Sequence, residues 1–104
     1  MTKVYNKLVR DNILDIITQD GQRCRFEVLG DKEFLTALDA KLNEELEEYN
    51  GSKNIEELAD LVEVIYAILD YNKISIEDFE TMRLDKRLNK GAFNKRIFLV
   101  STDN

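Results

Sequence analysis

Carboxylates carry the chemical suggestion in this chain. Glu45 and Glu48 stand three residues apart, and so do Glu57 and Asp60. Residues three apart on a helix are neighbours on one face. The stretch between the two pairs, Asn50-Gly51-Ser52-Lys53, is short, so two helices joined there should run antiparallel. Glu48 with Glu57, and Glu45 with Asp60, then lie at matched heights about a centre between Ser52 and Lys53. Two unit charges at 4 Å repel by about 1 kcal/mol in water and about 4 kcal/mol at an effective dielectric of 20. Converging acids must therefore splay into water, take up protons or bind a cation. An all-oxygen donor set favours Mg2+ or Mn2+ over zinc. The competing reading is a solvated acidic helix face, with Glu57 serving as a helix-start acid after Asn54.

Other chemistries are closed off. The chain has no histidine and one cysteine, Cys24. Ser-His and Cys-His catalysis and the usual zinc sites are excluded with them. Net charge is −6, but it is unevenly spread. Residues 39–63 hold nine acids and two bases; residues 83–96 hold six bases and one acid. That basic stretch offers Arg83, Lys86, Arg87, Lys90 and Arg96 as grips for an anionic substrate, with Lys7 and Arg10 as further candidates. Each also reads as a solvated surface base. The two patches could instead pair as surface salt bridges, each worth roughly 0–1 kcal/mol. An acidic protein with one basic strip lacks the broad cationic surface of a nucleic-acid binder.

Elements able to position these residues follow from apolar spacing. Leu8, Val9, Ile13, Leu14, Ile16 and Ile17 predict a helix over 8–19, with Asp11 or Asn12 as cap. Alternation in residues 23–29 predicts a short strand, and Arg96-Ile97-Phe98-Leu99-Val100 a second that would pair with it. Asp31 is the expected cap of a helix over about 32–49, with the stripe Phe34, Leu35, Leu38, Leu42, Leu46 and Tyr49. Asn54 should cap a helix over about 55–71, with the stripe Ile55, Leu58, Val62, Ile65, Tyr66 and Leu69. Ser75 should open a last helix reaching about Asn89, and Gly91 should stop it.

Glu44-Glu45-Leu46-Glu47-Glu48 followed by Glu57-Leu58-Ala59-Asp60 resembles the EExxE…ExxD signature of the MazG-like all-α nucleotide pyrophosphohydrolases. The opening Tyr5-Asn6-Lys7-Leu8-Val9-Arg10-Asp11 and the ending Lys90-Gly91-Ala92-Phe93-Asn94-Lys95-Arg96-Ile97-Phe98-Leu99 resemble a small subgroup labelled phosphoribosyl-ATP pyrophosphohydrolase-like. The resemblance implies a site of Glu44, Glu45, Glu48, Glu57 and Asp60, with Glu45, Glu48, Glu57 and Asp60 as Mg2+ ligands and Mn2+ as the substitute. It also places Lys41 at a basic position of the family. Three features depart from the pattern: a shorter gap between Glu48 and Glu57, no proline near Leu14, and Gly91-Ala92 where a double glycine is usual.

The implied reaction splits the α–β phosphate bond of a nucleoside triphosphate, giving a monophosphate and pyrophosphate. Two alternatives stand beside it: phosphoribosyl-ATP hydrolysis in histidine biosynthesis, and a non-catalytic helical binding or regulatory module. The expected architecture is one all-α domain over residues 1–104, a helical hairpin with a small terminal strand pair. Two striped helices cannot bury both sides alone, so a homodimer completing a four-helix bundle is expected, or a tetramer. No apolar run is long enough for a membrane span. The opening residues lack a signal-peptide pattern, which sets a cytoplasmic expectation.

Overall fold

A computed structural model describes all of residues 1–104 and contains four helices in the order α1 (Ile13–Gln19), α2 (Asp31–Ser52), α3 (Ile55–Tyr71) and α4 (Ile76–Lys90). The centre is the α2–α3 hairpin; α4 touches α3 alone, and α1 touches no other helix. No helix is long and apolar enough to cross a membrane.

The all-helical expectation holds, and the expected strand pair is absent. Residues 23–29 and 96–100 carry no regular structure. Alternation prepares one face for burial, but a strand exists only where another strand completes its hydrogen bonds. Here no backbone hydrogen bond joins the two segments. The first helix is also shorter than its apolar pattern. Asn6 adopts a left-handed φ of 48°, and residues 1–12 run as irregular chain whose side chains reach across to the hairpin.

Helix α2 continues through Asn50 and Gly51, which were expected to stop it. Its stop is Lys53, with a left-handed φ of 60° and its N–H donating to the Tyr49 carbonyl at 2.7 Å. The hairpin connection is thus only Lys53-Asn54. Asp31 is the first residue of α2 and Gly30 holds the cap position. Asn12 and Asn54 occupy cap positions without a side-chain cap bond. Ser75 caps α4 as expected: its Oγ accepts from the Asp78 N–H at 3.0 Å.

The core is small. Leu38, Val64 and Leu69 are the buried hydrophobic residues, with Phe34 and Tyr71 in tilted ring contact at 6.1 Å. Two members of the expected α3 stripe, Ile55 and Val62, are instead 74% and 39% exposed. From Leu61 to Leu69 the helix is apolar on nearly every side, Glu63 excepted. Such a helix does not dictate which side packs on α2. Val64 and Leu69 took the buried positions, and Val62 was left on the open side.

Candidate functional site

The tight hairpin sets the acids of α2 beside those of α3. Carboxylate oxygens of Glu45, Glu57 and Asp60 all lie within 4.8 Å of one another, and so do those of Glu44, Glu45 and Glu48. The five predicted acids are therefore gathered, with Glu45 common to both groups. Sequence heights anticipated Glu45 beside Asp60. They also paired Glu48 with Glu57, but Glu48 groups with the acids of its own helix.

Glu45 is the unusual member. It is 6% exposed, the only buried charged residue, and its Oε2 has no hydrogen-bond partner. Its Oε1 lies 3.2 Å from the Lys41 Nζ. Burial pushes the Glu45 carboxyl above its ordinary range; Lys41 pulls it back, the Glu48 charge adds to the rise, and the net displacement is upward. Glu44 is only partly buried, and although that burial still pushes it up, it receives two lysines, Lys7 at 3.0 Å and Lys41 at 3.2 Å. Together they outweigh burial and hold Glu44 below the ordinary range. The hydrogen bond and charge of Glu44 raise Lys7 in turn, with smaller contributions from Glu48 and Glu45.

The predicted bases divide into two sets. Lys41, Lys7 and Arg10 reach the acids; Arg10 donates to Asp60 at 2.7 Å. No sequence signal announces the Lys7 and Arg10 contacts, which join residues 37 and 50 positions apart. The Lys41 pairs were legible, because Glu44 and Glu45 follow it at helical spacing. The remaining set does not approach the cluster. Arg83 pairs with Glu80 inside α4 at 2.7 Å, while Lys86, Arg87, Lys90, Lys95 and Arg96 have no ion pair. The alternative in which the acidic and basic patches pair as surface salt bridges is therefore not met within this chain. Helix α4 does not contact α2 at all, and although it touches α3, none of its bases pairs with an α3 acid.

Beside the cluster the N-terminal segment and α2 enclose a recess of about 290 Å³. Tyr5, Leu8, Ala37 and Ala40 supply apolar wall, and Lys7, Lys41 and Glu44 the polar edge. Tyr5 was not singled out in the sequence. Its ring sits under two cations, Lys3 at 5.1 Å and Lys7 at 6.0 Å.

The donor set suits a hard cation. Its atoms are carboxylate oxygens, and one of them, the buried Glu45 Oε2, has no protein partner, which costs about 1–3 kcal/mol or more for a charged group. A scan against protein-family models, a search of curated proteins and a search of solved structures each returned no match.

Proposed function

We propose that this chain is a Mg2+-dependent nucleotide pyrophosphohydrolase that splits the α–β phosphate bond of a nucleoside triphosphate, releasing a monophosphate and pyrophosphate. The observation that carries the reading is the buried, unpartnered Oε2 of Glu45 among the carboxylates of Glu48, Glu57 and Asp60. These four residues would hold Mg2+, or Mn2+ in its place. A divalent ion there supplies charge neutralisation at phosphate oxygens and a more acidic bound water.

The residues around the acids suit the remaining tasks. Lys41, held against Glu44 and Glu45, keeps one positive charge inside the cluster and fixes the orientation of both carboxylates. Glu44, held ionised by two lysines, positions Lys7 at the edge of the recess. Arg10 is more than half exposed and has a single acidic partner, so it can leave Asp60 for a phosphate oxygen at little cost. The Tyr5–Ala37–Ala40 wall gives a base or sugar an apolar surface next to the phosphate-binding groups.

Pyrophosphate release from a nucleotide panel that includes phosphoribosyl-ATP, run with Mg2+, tests the reading. Glu48→Gln and Asp60→Asn should each lose most activity while retaining helicity, and Glu47→Gln should act like wild type. No release across the panel would leave the non-catalytic module, which the Lys7 and Arg10 ion pairs favour. Preference for phosphoribosyl-ATP would select the histidine-biosynthesis alternative.

A further inference from the structure

The exposed surface of this chain is 9949 Å². A compact protein of 12.2 kDa exposes about 6,100 Å². The excess, on the order of 4,000 Å² per chain, exceeds what one subunit contributes even to a large obligate interface. Exposed apolar side chains are spread along the chain, Val4, Phe26, Val28 and Leu88 among them, and two regions concern the hairpin and the segment after α4. One is the open side of α3 with Ile55 and Val62. The other is the arm after α4, where Phe93, Ile97, Phe98, Leu99 and Val100 are each at least 74% exposed. An apolar row of that size does not remain in water.

Charge identifies what covers it. The bases of residues 83–96 lie on α4 and at the start of the arm, and apart from Arg83 they have no acidic partner. The hairpin exposes Glu47, Glu48, Glu56 and Glu63, none of which has a basic partner. Excess cation and excess anion belong to one chain but find no partner within it: α4 touches α3 alone, and no base from Lys86 to Arg96 pairs with an acid of the hairpin. A second copy resolves both surpluses together.

We propose that the α4 end and arm of one copy pack on the α2–α3 hairpin of another, with Phe98 and Leu99 covering the open side of α3. The bases between Lys86 and Arg96 then face the exposed acids of that hairpin, Glu47, Glu48, Glu56 and Glu63, in trans. The partner then adds cations to those the acid cluster already holds in its own chain, Lys7, Arg10 and Lys41. This rests on the hairpin and the arm, and it stands whether or not the site turns over nucleotides.

Isotope-resolved cross-linking tests it. Chains labelled with ¹⁴N and ¹⁵N are mixed, unfolded and refolded together, treated with a zero-length carbodiimide that joins lysine to carboxylate, and digested. Lys86, Lys90 or Lys95 should be joined to acids of residues 44–63 in mixed-isotope pairs, at the share that random pairing gives. The Lys7–Glu44 link, 3.0 Å within one chain, should appear only in like-isotope pairs and serves as the internal control. Like-isotope pairs alone from the basic stretch, or none while Lys7–Glu44 forms, would overturn the proposal. Phe98→Asp combined with Leu99→Asp should convert the oligomer to a smaller species in sedimentation, with the Lys7–Glu44 link retained. An unchanged sedimentation coefficient with unchanged mixed-isotope links would show that the arm is not the interface, and would equally overturn it.

Discussion

Glu45 and Glu44 are adjacent in sequence and respond to protons in opposite ways. Folding raises the Glu45 pKa from its ordinary 4.5, so the native state holds that proton more tightly than the unfolded chain. Its contribution to stability is complete below the ordinary value and is lost as pH rises through the raised one. Glu44 is lowered, so its contribution is present above the ordinary value and is lost as pH falls through the lowered one. Glu45→Gln mimics the protonated form. It should melt higher than wild type at pH 7 without metal, by about 1.4 kcal/mol for each unit of displacement, and converge with wild type near pH 4. Thermal unfolding across that range checks it; a lower melting point at pH 7 would show that the Lys41 pair outweighs desolvation. Arg10 gives a second prediction at this scale. Its ion pair with Asp60 competes with any cation that needs the same carboxylate. An exposed pair is worth about 0.2–1 kcal/mol, so Arg10→Gln should tighten Mg2+ binding about 1.4- to 5-fold at matched ionic strength. Calorimetric titration measures it, and weaker binding would place Arg10 in a supporting role for the metal site.

At the scale of elements, the hairpin depends on a backbone conformation that its residue type does not favour. Lys53 sits in the left-handed region, which costs a non-glycine residue roughly 1–2 kcal/mol. Lys53→Gly removes that strain, although the more flexible unfolded chain returns part of the gain. A rise of about 0.5–1 kcal/mol in urea unfolding is expected. Ser75→Ala should cost about 1 kcal/mol, because the Asp78 N–H loses its only capping acceptor, whereas Asn54→Ala should be nearly silent. These details show where sequence reading stops. Helix identity was legible because apolar spacing is local; of the expected caps only Ser75 makes its bond. The acid heights were legible because a short connection ties two helices together. The strands at 23–29 and 96–100 were misread because alternation describes one segment, while pairing depends on another some seventy residues away. Lys7 and Arg10 met Glu44 and Asp60 by the same kind of distant encounter, which no local pattern encodes. Gly51 misled for a further reason: glycine permits a helix stop but does not impose one, and Lys53 made the stop two residues later.

For the whole molecule, shape decides what stability can mean. The radius of gyration is 18.4 Å and the extents are 61 × 31 × 26 Å. A compact chain of this length has a radius near 13 Å. With three buried hydrophobic residues, an isolated copy has too little core to offset the entropy of ordering its backbone. The folded state should therefore be an assembled one, and its melting point should depend on protein concentration. Unfolding a dimer releases two chains, so each tenfold increase in concentration adds about 1.4 kcal/mol per dimer. A melting entropy set by twice the residue count converts this to roughly 3–5 °C per decade. Divalent metal adds a shift of its own: saturation at 100 times Kd stabilises each site by about 2.7 kcal/mol. The two effects are separable, because one varies with protein at fixed Mg2+ and the other with Mg2+ at fixed protein and ionic strength. Scanning calorimetry over two decades of concentration, with and without millimolar Mg2+, should give parallel lines of positive slope, the Mg2+ line lying higher. A flat line without metal would mean that the single chain folds on its own, with some other segment covering α3. Coincident lines would mean that the acids hold no divalent ion unless nucleotide brings it, and the same scan with a non-hydrolysable triphosphate present would then separate the two.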